Sequence, residues 1–227
     1  MKQHGPQPPT LTLIDTALQS QSIWDFTNTI LYNLCRDHPE HKQVDVIISK
    51  LMIVGRVYAA QLERRRNAGE ESTDTFYVKV AEGLIRSDID EWLRSLRTAN
   101  KPTTDLTLVV HRRLLDLFKS LTGMENRSFA SKYLHFHCPG LFFIYDTRAR
   151  RVAREPVKEP RRRGSAVRTD IDADYAAFCR QCTSLTGSLR ELLGHTPTPR
   201  ELDKILLYLE ERNRSPAIAA AFSGDHN

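Results

Sequence analysis

Apolar residues recur at helical spacing along most of the chain. From Leu13 to about Arg36, Ile14, Leu18, Ile23, Phe26, Ile30 and Leu34 fall on one side of a helix, in one run or two pieces. His38-Pro39-Glu40-His41 breaks the run. From Val44 to about Arg66, Val46, Ile47, Leu51, Val54, Tyr58 and Leu62 make a strong stripe, with Arg64, Arg65 and Arg66 suited to its last turn. Asp74 to Ile85 carries Phe76, Val80 and Leu84. Ser87 and Asp90 are then spaced as a capping pair for a helix bearing Ile89, Trp92, Leu93 and Leu96.

Leu106 to Leu121 reads as a buried helix, and Ser128 to His137 as another, stopped by Cys138-Pro139-Gly140. A short apolar run, Leu141 to Tyr145, leads to Asp146, which can open the next helix. Ile171 to about Leu193 reads as helix interrupted near Thr186-Gly187. Thr198-Pro199-Arg200-Glu201 combines a capping box with proline at the first helical position. No alternating strand series, phosphate-binding glycine loop or internal repeat occurs. The expected fold is all-α, with roughly eight to ten helices in one domain, possible as two lobes, over 11–214. Tails are expected at 1–10 and 215–227.

Composition narrows the class. At 40% hydrophobic and 27% charged residues, the 227-residue chain suits a folded domain rather than a disordered one. No window approaches the roughly 18 apolar residues of a membrane span. The first ten residues lack the apolar core of a secretion signal, so a cytoplasmic protein is expected. The cysteines, Cys35, Cys138, Cys179 and Cys182, include a single close pair, too few for a zinc or iron–sulfur framework without help from His195 and Cys138. Reduced thiols without metal are expected.

Charge changes the picture more. Between Arg148 and Arg168 lie nine basic residues against Glu155 and Glu159. The apolar-poor stretch 155–170, with Pro156, Pro160 and Gly164, reads as a basic loop: either a solvated segment or a contact to phosphates through Arg161, Arg162 and Arg163. Arg56 sits in an apolar stretch, where burial demands a partner.

The stretch with most chemistry runs Leu121-Thr122-Gly123-Met124-Glu125-Asn126-Arg127 and, after a helix, Tyr145-Asp146-Thr147-Arg148 through Arg151-Val152. Asp146 at a helix start is either a plain cap or a carboxylate held ionised by the helix dipole and nearby arginines. This pattern resembles the helix-hairpin-helix DNA glycosylases, whose hairpin reads Leu-Pro-Gly-Val-Gly-x-Lys-Thr-Ala and whose catalytic aspartate lies in Val-Asp-Thr-His-x-x-Arg-Val. Leu121, Gly123 and Met124 match the hairpin, and Asp146, Thr147, Arg151 and Val152 the second motif. Thr122 replaces its proline and Glu125 its second glycine.

The resemblance implies that Asp146 is catalytic. Arg127 stands where lyase-competent members carry a Schiff-base lysine, which implies a monofunctional hydrolase. Ser128 through His137, with Phe143-Ile144-Tyr145-Asp146-Thr147-Arg148-Ala149, further resembles small bacterial phage-defence glycosylases that excise glucosylated hydroxymethylcytosine. On this reading a monomer acts on double-stranded DNA without cofactor, metal or membrane, in repair or in antiviral defence. Arg127, Lys132, Arg148, Arg151 and the loop arginines would hold phosphates. Tyr58, Gln61, Tyr133, His135, His137 and Tyr145 would meet the extruded base. Two other readings stand beside it: a HEPN-like ribonuclease using Arg190 and His195, and a non-catalytic nucleic-acid-binding module.

Overall fold

The computed structural model describes residues 11–20, 25–62, 72–99, 104–153 and 168–214. Their regular structure is entirely helical: α1 (Leu11–Gln19), α2 (Asp25–Asp37), α3 (Val44–Met52), a π-helical turn (Ile53–Val57), α4 (Thr73–Ile85), α5 (Ile89–Thr98), α6 (Thr104–Thr122), α7 (Arg127–His137), α8 (Thr147–Ala153), α9 (Ala173–Leu193) and α10 (Pro199–Arg214). The all-α expectation holds. The tails, the loop 155–167 and Arg64, Arg65 and Arg66 lie outside the described residues.

The architecture is organised around α7. Every residue from Phe129 to His137 is buried, so this helix has no solvent face and must be enclosed. α2, α6 and the π turn pack on it. On one side α3 meets α4, and α4 and α5 meet α6. On the other, α10 packs against α8 and α1, and α8 against α9. The buried apolar residues of all these helices join in one cluster, including Leu31, Leu51, Leu84, Leu93, Leu114, Phe118, Phe129, Phe178 and Leu206. Each fully buried side chain of this size contributes roughly 1.5–3 kcal/mol relative to exposure.

Local sequence sets most helix ends. Ser72 caps α4 by accepting the Thr75 N–H at 3.1 Å. Before α10, Thr198 and Glu201 exchange the two bonds of a capping box, at 3.2 and 2.7 Å. Gly123 and Gly194, both left-handed at φ +71° and +73°, close α6 and α9.

Three local expectations are corrected, and the condition set on Arg56 is resolved. The helix from Val44 ends at Met52 and passes into the π turn, because Gly55 offers little helical preference and Gln61 N–H reaches back to Gly55 O at 2.9 Å. α9 runs unbroken through Gly187, whose missing side chain faces open space. Asp90 does not cap α5; both its oxygens accept from His41 N–H, and Oδ1 meets His41 Nδ1 at 2.6 Å. Arg56 is exposed rather than buried, with its guanidinium carbon 5.7 Å from the centre of the Tyr77 ring.

Candidate functional site

Asp146 is positioned by a strap and a helix start. The irregular segment Phe142–Tyr145 is bound to α7 through side chains. His135 Nδ1–H donates to Phe142 O at 2.8 Å, and Ser131 Oγ accepts the Tyr145 N–H at 3.0 Å. From α9 the Tyr175 hydroxyl donates to Phe143 O at 2.9 Å. The next residue, Asp146, therefore has a fixed place, and its own carbonyl accepts the Arg150 N–H at 2.9 Å as α8 begins.

The two carboxylate oxygens of Asp146 do different things. Oδ1 accepts the Arg148 N–H at 2.8 Å, the bond of a helix cap. Oδ2 faces inward to Lys132 Nζ at 3.2 Å. A cap alone needs no lysine. Burial by itself would raise the Asp146 carboxyl, but Lys132, the Arg148 N–H and the Arg148 guanidinium outweigh it and hold the group below its ordinary value. Its side chain stays 25% exposed, so the charge is both held and reachable.

Lys132 projects from the middle of α7, and its side chain is only 8% exposed. Besides Asp146, its ammonium donates to Tyr58 O and Ser128 Oγ, each at 3.2 Å. Three acceptors match three ammonium hydrogens. The Tyr58 carbonyl is available because the chain leaves the π turn there, with Ala59 and Gln61 in the left-handed region at φ +52° and +45°. Non-glycine residues rarely adopt that conformation, and such strain gathers at working sites. Asn126, the cap of α7, satisfies the Ala60 carbonyl of the same segment.

A second polar group adjoins the first. On α10, Asp203 is 5% exposed and pairs with Arg200 Nη1 through Oδ2 at 2.8 Å. Burial pushes its carboxyl up to about 6 against the pull of Arg200, Lys132 and Arg148, while the charge of Asp146 raises it further. From α2, Tyr32 hydroxyl meets His135 Nε2 at 2.6 Å, and Asn28 Oδ1 accepts the Tyr58 hydroxyl proton. Because His135 Nδ1 carries the hydrogen, Nε2 is the acceptor, and burial drives this imidazole down to about 4. The sequence reading missed Asp203, Arg200, Asn28 and Tyr32. A signal was present: Asp203 and Glu210 lie seven residues apart among Leu202, Ile205, Leu206 and Leu209, on the stripe that faces the core.

Several expected site residues have other duties. Arg127 is engaged by Asp172 at 2.6 Å, Glu125 at 2.9 Å and Asp174 at 3.3 Å, tying the start of α7 to the start of α9 instead of standing open to a phosphate. Lys132 points into the site and not outward to DNA. Arg148 and Arg151 are exposed, the latter 3.4 Å from Glu210. Arg161, Arg162 and Arg163 lie outside the described residues. Tyr133 is in the core and bonds His41 Nε2 at 2.8 Å, and His137 is buried against the His41 ring. His135 and Tyr145 are likewise buried, and Arg150 bonds the Tyr145 hydroxyl. Those four rings pack the interior and are not free to stack on a base; Tyr58 is half-buried and Gln61 exposed.

The other features single out nothing comparable. His195 lies past the end of α9, its ring 3.6 Å from Glu201, so it does not continue the helical face of Arg190. The four cysteines are free and buried, and no group of His, Cys, Asp or Glu among the described residues is arranged to hold a metal. The concavity between α5 and α6 is lined by Asp88, Glu91 and Asp116 against Arg113, an acidic rim unsuited to phosphodiesters. No helix among the described residues is long and apolar enough to cross a membrane. No protein-family model, curated protein or solved structure matches the chain.

Proposed function

We propose that this protein is a monofunctional DNA glycosylase, hydrolysing the N-glycosidic bond of a flipped-out modified base to leave an abasic site. The glucosylated hydroxymethylcytosine of phage DNA is the first substrate to test. The observation that carries the reading is Asp146: an ionised, partly exposed carboxylate with one oxygen fixed by a helix start and the other by a buried lysine.

The chemistry asks for such a group. As the base departs, positive charge develops on the deoxyribose, and a preorganised negative charge beside it lowers the barrier. Asp146 then orients water and takes its proton as the C1′–O bond forms. Lys132 keeps the carboxylate aimed. With three acceptors around its ammonium it is a held cation rather than an amine nucleophile, which favours water over a Schiff base. The basic segment from Arg148 onward supplies charge for phosphates.

Labelled duplexes carrying unmodified, alkylated, deaminated or glucosyl-hydroxymethyl bases test the reading. Strand breaks should appear only after alkali and fall by at least about 10²-fold in Asp146→Asn. Borohydride should trap no covalent complex. Binding without alkali-labile sites on any duplex, or full activity in Asp146→Asn, overturns the proposal.

A further inference from the structure

Cleavage of a glycosidic bond has two halves, and Asp146 serves only one. The sugar needs negative charge and an activated water; the departing base needs a proton, since a neutral base leaves poorly as an anion. Paired groups whose surroundings drive their proton affinities apart are the usual solution. Asp203 moves in the opposite direction to Asp146 while belonging to the same electrostatic neighbourhood.

Its geometry points the same way. Oδ2 accepts from Arg200, which leaves Oδ1 as the oxygen able to carry a proton. Oδ1 is buried and has no hydrogen-bond partner among the described residues. Asn28 Nδ2 is also buried without a partner among the described residues, and its Oδ1 accepts from the Tyr58 hydroxyl, which feels the charges of Arg200 and Asp203. Buried polar atoms are seldom left unmatched, so Asp203 Oδ1 and Asn28 Nδ2 keep hydrogen-bonding capacity for a further polar group.

We infer that Asp203 is the acid that protonates the departing base, acting beside Asp146 in the same site. This rests on the glycosylase reading above. The bond between C1′ and the base nitrogen breaks, its electron pair leaves with the base, and the proton on Asp203 Oδ1 goes to the base. Water adds its oxygen to C1′ and gives a proton to Asp146. Proton exchange with solvent then restores both carboxyl groups, and the net reaction is hydrolysis. Asn28 Nδ2 supplies a donor for a carbonyl of the same base.

The charged and titratable groups around Asp203 are Arg200 on its own helix, Lys132 on α7, Asp146 and Arg148 at α8, Asp25 and Tyr32 on α2, Tyr58 after the π turn and Cys182 on α9. A carboxyl titrating near 6 is a competent acid below that pH and an ionised, idle one above it. Single-turnover base release on the panel duplex that the protein cleaves should therefore be level below about pH 6, then fall about tenfold per pH unit. Asp203→Asn should lose about 10²-fold at pH 5.5, show no descending limb, and converge on the parent rate near pH 8. Carbon NMR of the Asp203 carboxyl gives a check without activity. An ordinary carboxylate titration overturns the assignment, as does an Asp203→Asn rate that keeps the parent pH profile. Those results leave the glycosylase reading intact if Asp146→Asn remains inactive; absence of base release from every duplex overturns both.

Discussion

Lys132 and Asp146 hold each other, and the consequences can be measured. Lys132→Gln removes the chief positive neighbour that holds the carboxyl low. A depressed carboxyl is ionised above its pKa and protonates as pH falls through it, so without Lys132 protonation starts at higher pH. Activity of Lys132→Gln should therefore fall away from that of the parent on the acid side, so the ratio of variant to parent rate declines as pH is lowered from 8 to 5. At this scale Asp146 was readable as a helix start beside basic residues. The sequence pattern offers Lys132 to phosphate, since nothing in it shows that α7 is enclosed on every side. Asp203 stayed hidden because a short acidic residue beside Arg200 and Lys204 looks like ordinary helix surface until its apolar neighbours are counted.

Among the helices, two glycines give a direct test of how packing and intrinsic preference trade off. A side-chain carbon on Gly83 of α4 would come within 2.3 and 2.8 Å of the Leu121 methyl carbons of α6. Gly83→Ala should cost about 1–3 kcal/mol in urea unfolding, as Leu121 is forced aside. Gly187 lies inside α9 with nothing within 4 Å of that position, so Gly187→Ala should stabilise by about 0.5–1 kcal/mol. The same contrast explains what the pattern foretold. Periodicity and caps located α4, α6, α7 and α10 well, because local preference and burial agree there. It misjudged Gly187, since one glycine on an open face is too weak a break to stop a packed helix. It overran α3, since a π turn depends on Gln61 and Asn126 bonding back from outside the helix.

For the molecule as a whole, the decisive property is where charge is allowed to gather. The formal net charge is +5, and the stretch from Arg148 to Arg168 is dense in arginine while the α5–α6 concavity is acidic. Duplex affinity should therefore weaken with salt, with a log–log slope of about −0.9 for each phosphate neutralised. Replacing Arg161, Arg162 and Arg163 with alanine should flatten that slope by up to about 2–3. Fluorescence anisotropy from 50 to 200 mM salt decides this, and an unchanged slope removes the loop from the DNA interface. The all-α class was plain from the sequence. The meeting of α2, α7, α8 and α10 was not, because it joins residues more than a hundred positions apart that no local pattern connects.

The enclosure of α7 has one further consequence. From Phe129 to His137, every position faces protein, and several of those positions carry polar groups already matched to fixed neighbours. Random variation across the gene should then leave a nine-codon silence here, flanked by tolerant ground at Pro139 and Gly140. Such a gap in a mutational library would mark the molecule's axis before any enzyme assay were run.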